Sequence, residues 1–362
     1  MSKKYYSCSR IKDVDAQYKM LLGGRNIGKS YAVKHDVVRE CYESGREFIY
    51  LRRWDEDIKT KYVEQYLTDL DVSSITNGQY EDVYVWQSKI YLCNYNEQHK
   101  PKEKMLIGYA HSLNQAERYK SQIYLKVDYI IYEEFITDKQ YLPNEPSQLQ
   151  EYTSTIYRER RGVVYLIGNT ISKLCPYFNE WRLEKVEKMK THNINVFENS
   201  TDVETPEGST TVVVRVAVEM CGAESILSKM AFGDSASMIV KNTWRQKTVP
   251  QVDKEMLNSS DEIYHLYVVA DNLCFKMLLM TYNGCPYWYV IPQTTDLRTP
   301  DTERMITKTA SFSPMHTNCF TPLTDTERVA FDLILQNKIY YCSNSCGSDF
   351  EQVLKKYRMI KL

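Results

Sequence analysis

The run Gly23-Gly24-Arg25-Asn26-Ile27-Gly28-Lys29-Ser30 satisfies every fixed position of the pattern G-x-x-x-x-G-K-[ST]. Two glycines let a backbone curl until successive N–H groups face bound phosphates. A lysine then reaches the β and γ oxygens, and a serine can ligate Mg²⁺. Lys29 and Ser30 occupy those two places, so the loop is suited to ATP with its magnesium ion.

Such a loop needs a strand before it and a helix after it, because the helix N-terminus adds its dipole to the attraction for phosphate. Tyr18-Lys19-Met20-Leu21-Leu22 reads as the strand. Residues 30–44 read as the helix: Val33, Val37 and Cys41 recur every fourth position, Val38 and Tyr42 widen the stripe, and Gly45 marks the stop. Glu47 to Arg53 is a second strand, apolar enough to be covered on both faces. Arg52 and Arg53 at its end either touch nucleotide or a neighbouring subunit, or form a solvated pair.

The second signature is Val127 to Phe135, an apolar strand ending in the acids Glu133 and Glu134. Beside a phosphate loop, one carboxylate holds the Mg²⁺ shell and the next polarises the attacking water. We assign Glu133 to the metal and Glu134 to the water. The usual metal-side residue is Asp, and Glu133 is one methylene longer. Val163 to Ile167 is a further buried strand, running into Gly168-Asn169-Thr170. The Asn169 amide can bond the γ-phosphate or its water, or it can cap a turn. Between these strands Pro146 to Tyr157 reads as a helix with proline in its first turn, followed by Arg158-Glu159-Arg160-Arg161. Those arginines either stabilise transition-state charge at another subunit's site or interact with the helix C-terminus and solvent.

Between the second strand and the acidic strand, residues 57–70 read as a helix and Asp82 to Cys93 as a hairpin around Gln87-Ser88. Lys100, Lys102 and Lys104 form a basic loop, met by a phosphate backbone or by solvent. Met105 to Ala110 is a strand, and Ser112 to Ser121 is a polar connection carrying Arg118 and Lys120.

A chain of 362 residues with 43% hydrophobic content has room for two or three packed domains. No run reaches the length of a bilayer-spanning helix, which points to a cytoplasmic protein without a membrane partner. Ten scattered cysteines fit reduced, structural thiols. With a formal net charge of −1, a polyanion must be gripped by local patches. The thirty tyrosines suit half-buried strands better than a base-stacking platform.

Taken jointly, Gly-Gly-Arg-x-x-Gly-Lys-Ser at 23–30, Tyr-Glu-Glu-Phe at 132–135, Tyr-Arg-Glu-Arg at 157–160 and Gly-Asn-Thr at 168–170 resemble the DNA-packaging ATPases of small protein-primed tailed phages. These are distant relatives of terminase large subunits. The likeness covers roughly the first 200 residues. It implies an α/β P-loop NTPase of the additional-strand catalytic-Glu type, working as a homo-oligomeric ring, a pentamer. Such a ring docks on the portal, or connector, of a prohead in the host cytoplasm and drives double-stranded DNA inward. A structured packaging RNA is a ring partner if the phage belongs to that group. The resemblance also implies a trans-acting arginine, matched here by Arg158 with Arg160 as second choice, and a basic residue before the acidic strand, matched by Lys120.

In the second half, residues 198–210 read as a loop and Val212 to Val218 as a strand. Two short helix-like segments around Phe232-Gly233-Asp234 suggest a helical linker over 221–255, between an ATPase domain at 1–220 and a third region at 256–362. There Ile263 to Val269, Leu273 to Tyr282 and Pro286 to Ile291 read as strands, with Asn283-Gly284 as a hairpin turn. Thr324-Asp325-Thr326-Glu327 reads as a capping box for a helix to Gln336. The pattern is a small α+β domain, and the resemblance suggests an RNase H-like one. A two-metal nuclease needs converging carboxylates. Asp271 follows the first strand, but partners among Asp296, Asp301, Glu303 and Asp332 cannot be singled out, which favours a domain that holds DNA or RNA without cutting it. From 261 onward 10 Lys plus Arg face 11 Asp plus Glu, so only Lys355, Lys356, Arg358 and Lys361 form a local basic cluster, for nucleic acid or for solvent. Two rival readings are a terminase-like enzyme with a live nuclease and a scaffold in which ATP only switches conformation.

Overall fold

The computed structural model describes residues 6–158, 160–205, 208–222, 244–295, 297, 299–307, 311–318, 328 and 332–356. The described residues fall into two compact units. One holds those of Met1–Ile171 and Cys175–Lys229, and the other holds Ser172–Leu174 with those of Trp244–Leu362.

The first unit is built on β1 (Tyr18–Gly23), β2 (Glu47–Arg52), β3 (Asp82–Trp86), β4 (Lys89–Tyr95), β5 (Pro101–Ser112), β6 (Val127–Glu133), β7 (Val163–Asn169), β8 (Ile194–Thr205) and β9 (Gly208–Met220). They form one sheet in the order β3-β4-β5-β2-β6-β7-β1-β9-β8. The six strands from β5 to β9 in that order run parallel, and the edges are antiparallel. β1 is buried at every position and β2 at all but its last, as strands covered on both faces must be.

Five of the helices are used below: α1 (Ser9–Lys12), α2 (Lys29–Ser44), α3 (Thr60–Leu67), α4 (Val72–Ile75) and α5 (Glu145–Tyr157). α2 buries Val33, Val37, Val38 and Cys41 and stops at Gly45, whose φ of 66° belongs to the left-handed cap that glycine favours. In α5, Pro146 sits in the first turn, and Leu149, Tyr152 and Ile156 face the interior.

Several local expectations need correction. The helix expected over 57–70 is broken: a 3₁₀ turn at Asp55–Ile58 precedes α3, and α4 follows as a separate turn. Lys102 and Lys104 lie on β5 and not in a loop, since Pro101 is tolerated as the first residue of a strand. The Lys104 ammonium lies 5.2 Å from the centroid of Tyr84 and 5.9 Å from that of Tyr91. Within the polar connection, Leu113–Tyr119 winds as 3₁₀ helix. The loop expected over 198–210 is instead a ribbon of β8 and β9, with Asn199 opposite Val214 and Thr201 opposite Val212. Val212 and Val213 are both exposed there, so burial leaves no one-sided apolar alternation to read.

The second unit has β10 (Asp261–Ala270), β11 (Leu273–Tyr282), β12 (Cys285–Pro292), β13 (Met305–Thr307), β14 (His316–Asn318) and β15 (Ile339–Tyr341). Their order is β14-β13-β10-β11-β12-β15. β10 to β12 are an antiparallel meander, whereas β13 runs parallel to β10, β14 to β13 and β15 to β12. Asn283 and Gly284 turn β11 into β12 at φ 50° and 76°, the left-handed pair of a type I′ hairpin. A helix at Asn344–Lys356 packs Phe350 with Phe275, Met277 and Trp288. The expected segments around Phe232-Gly233-Asp234, the Thr324–Glu327 capping box, Asp296, Arg358 and Lys361 lie outside the described residues.

Candidate functional site

The parallel strands end together, and residues singled out in the sequence gather at their carboxyl ends, where open α/β sheets place ligands. Gly23 ends β1, Asn169 ends β7, Glu133 ends β6 and Arg52 ends β2. The register sets Gly23 directly beside Asn169.

From Gly23 the chain enters α2 through Asn26 at φ 62° and Gly28 at φ 94°. Those are left-handed conformations that asparagine tolerates and glycine adopts freely. Three backbone bonds pin this loop: Thr170 N–H donates to Gly23 O at 3.1 Å, Cys221 N–H to Leu22 O at 2.7 Å, and Tyr6 N–H to Ile27 O at 3.0 Å. The Tyr6 hydroxyl in turn donates to Glu219 at 2.7 Å.

Lys29, the first residue of α2, is buried. Its ammonium donates to Gly24 O at 2.6 Å, to Gly23 O at 3.2 Å and to Asn169 Oδ1 at 3.2 Å. Burial pushes its pKa down to about 8. A cation held, among the described residues, by neutral carbonyl oxygens is ready to exchange them for an anionic partner.

Glu133 is buried beside it. Its carboxyl is pushed above the ordinary range by burial, against the opposing pull of hydrogen bonds from Ser30 and Tyr66 and of the charges on Arg52 and Lys29. A serine hydroxyl and a carboxylate are an oxygen pair of the kind that Mg²⁺ accepts.

Glu134 turns the chain out of β6 at φ 58°, and its side chain remains 60% exposed. Arg52 Nη2 donates to its Oε2 at 2.7 Å. A cavity of about 370 Å³ is lined by Arg25, Arg52, Glu133, Glu134 and Asn169 among others.

Arg53, which also lines this cavity, is 5% exposed, and its guanidinium pairs with Glu145 through Nε at 2.7 Å and Nη2 at 2.9 Å. It also donates to the carbonyls of Glu134 at 3.2 Å and Phe135 at 2.8 Å, fixing the turn that carries Glu134. Glu145 accepts further bonds from Tyr132, Tyr177 and Leu142 N–H, so the buried pair is well satisfied.

The remaining sequence candidates lie elsewhere. Arg158 caps α5 at φ 52° with its side chain exposed. Arg160 donates to the carbonyls of Tyr124, Val127 and Ile156 and to Asp128, fastening the end of α5 to the start of β6. That end of β6 is about 20 Å from Glu133 at the usual rise per strand residue. Arg160 is thus spent on its own chain and is far from its own phosphate loop. Lys120 is exposed and paired with Glu117 at 2.5 Å.

Sequence reasoning missed Tyr66, Tyr6, Glu219 and Cys221 around the loop, and left Arg52 undecided. Their contacts join distant segments, and only the extra methylene of Glu133 hinted that a further donor is needed.

The family described as "Podovirus DNA encapsidation protein (Gp16)" matches residues 1–221. The DNA packaging protein of Bacillus phage phi29 is 28% identical over 183 residues, 48% of this chain and 49% of that protein. That of Bacillus phage B103 is 30% identical over 162 residues, 44% of this chain and 46% of that protein. The chain spans about half the length of the curated relatives it matches. A solved structure, "The bacteriophage Phi-29 viral genome packaging motor assembly", has a similar fold, with a TM-score of 0.57 at 18% identity over 98% of this chain and 99% of that one. Since the matched residues are more than half of the 362, the chain belongs to the podovirus DNA encapsidation protein family.

Proposed function

We propose that this chain is an ATP-hydrolysing motor that moves double-stranded DNA into a preformed prohead during genome packaging. The observation that carries the reading is the convergence of Lys29, Ser30, Glu133, Glu134 and Asn169 at the carboxyl ends of adjoining strands. The left-handed Asn26 and Gly28 and the buried Lys29, bonded among the described residues to carbonyl oxygens, fit a P-loop for Mg²⁺ and ATP. Gly23 to Ser30 wraps the phosphates, and Lys29 leaves the carbonyls of Gly23 and Gly24 for the β and γ oxygens. Ser30 and Glu133 would hold the metal, which would supply neutralisation of charge on the transferred phosphoryl group. Glu134 takes the proton of the attacking water, and Asn169 bonds the γ-phosphate. One strand, β7, stands between the loop strand and the acid-bearing strand and carries Asn169, which favours the additional-strand catalytic-Glu class.

Arg158 is the trans-acting residue in this reading, with Lys120 assisting across the same boundary. Being exposed and at the strand ends opposite its own loop, Arg158 can serve only a neighbour's site. The motor is then a homo-oligomeric ring, a pentamer, seated on the portal of the prohead, with a structured packaging RNA as ring partner if the phage belongs to that group. The domains divide as 1–220 for ATP, 221–255 as linker and 256–362 for nucleic acid. The meander extended by parallel strands on its first member supports an RNase H-like reading of the last. Asp271 lies in a turn at φ 51° and Glu303 is engaged with His265 at 3.4 Å, which favours a domain that does not cleave.

The test is protection of DNA from nuclease by proheads mixed with the chain and ATP. Wild type protects DNA, and Lys29→Ala and Glu134→Gln do not. Protection by Lys29→Ala at the wild-type level overturns the proposal.

A further inference from the structure

A tyrosine outside the phosphate loop reaches the metal-side carboxylate. Tyr66, on α3, donates its hydroxyl to Oε1 of Glu133 at 3.2 Å. Its ring stacks on Tyr50 of β2, with centroids 4.2 Å apart and planes 23° apart. From α2 the ammonium of Lys34 lies 4.5 Å from the Tyr66 centroid and bonds both the Tyr66 carbonyl and the Asp69 carboxylate. Lys34 is 2% exposed, so this ammonium is itself a fixed element. The hydroxyl is therefore held by the strand that ends in Arg52 and by the helix that begins with Lys29.

A glutamate has one more torsion than an aspartate, and its carboxylate needs an extra partner to keep one orientation. We propose that Tyr66 is a positioning residue that fixes the Glu133 carboxylate for Mg²⁺ beside Ser30, an inference that rests on the nucleotide site described above. Lys34 and Tyr50 act behind it by holding the ring. The longer acid then works where a shorter one is usual, because a tyrosine takes up the added freedom.

The test is Tyr66→Phe, which keeps the ring and its stack and removes only the hydroxyl. Binding of a fluorescent non-hydrolysable ATP analogue is measured in EDTA and across a Mg²⁺ titration. Affinity in EDTA stays at the wild-type value, while the Mg²⁺ half-saturation point rises about tenfold, as losses behind a metal ligand do. In a Glu133→Asp background, where the acid is a methylene shorter, the same substitution shifts half-saturation less than about twofold, the non-additivity expected of a coupled pair. An unchanged half-saturation in Tyr66→Phe, or a full tenfold shift in the aspartate background, overturns the proposal. If Tyr66→Phe does not fold, Lys34→Met must raise half-saturation on its own, and failure to do so overturns it equally. Wild type that binds no analogue with or without Mg²⁺ sinks the nucleotide reading itself and this inference with it.

Discussion

Arg52 Nη2 donates to Glu134 Oε2 at 2.7 Å, so the carboxylate proposed to activate water is held by an arginine at the end of the neighbouring strand. A carboxylate oxygen that accepts from a guanidinium must give up that partner before it can accept from water. The pair is easily exchanged: Glu134 is 60% exposed, Asp57 stands 3.4 Å from the same nitrogen, and Arg52 Nε is buried with no hydrogen-bond partner among the described residues. Arg52→Ala should raise ATP hydrolysis without DNA severalfold and shrink the stimulation that DNA gives. A steady-state assay with and without duplex DNA reads both, and a loss of basal hydrolysis would instead make Arg52 a phosphate ligand.

The Arg53–Glu145 pair predicts a stability effect separable from chemistry. Removing one partner leaves an uncompensated buried charge, so Glu145→Ala should cost about 3–5 kcal/mol. Replacing both with apolar residues of similar volume should recover much of that. Denaturant unfolding of the two single variants and the double variant checks the pattern.

His111, beside Leu51 in the register of β5 on β2, gives a pH dependence of stability. Buried and bonded to Tyr152 at 2.7 Å, it is pushed by burial down to about 3. Unfolding restores the ordinary histidine value near 6.5, so between the two the unfolded chain binds the extra proton. Stability therefore rises with pH through that window and falls as pH drops below about 6.5, by up to about 1.4 kcal/mol per pH unit from this group. His111→Gln should remove that increment of slope in unfolding curves taken from pH 6.5 to 4.5.

The two arginines after α5 should separate cleanly. Arg160→Ala loses bonds to three carbonyls and should lower stability by about 1–3 kcal/mol. Arg158→Ala, an exposed position, should leave the melting temperature unchanged. Thermal melts of both variants decide this before any activity is measured.

What could be read in advance follows from how local each signal is. The glycines and lysine of 23–30 sit at fixed offsets, and β1, α2 and β6 each carry their own period, so the loop and its two acids are visible in the chain alone. Asn283-Gly284 is legible for the same reason. The β8–β9 ribbon is not, because exposed valines among threonines and serines leave burial no face to mark. Nor are Tyr66, Arg52 and Glu145 legible as partners of Glu133, Glu134 and Arg53, since each contact spans 67 residues or more in sequence.

The central claim is tested most directly by DNA-stimulated ATP hydrolysis of wild type, Glu134→Gln and Arg158→Ala, alone and mixed. The account predicts that Glu134→Gln binds nucleotide but hydrolyses roughly 10²- to 10⁴-fold more slowly, that Arg158→Ala is silent alone, and that the mixture partly recovers. Hydrolysis by Glu134→Gln at the wild-type rate would contradict the account.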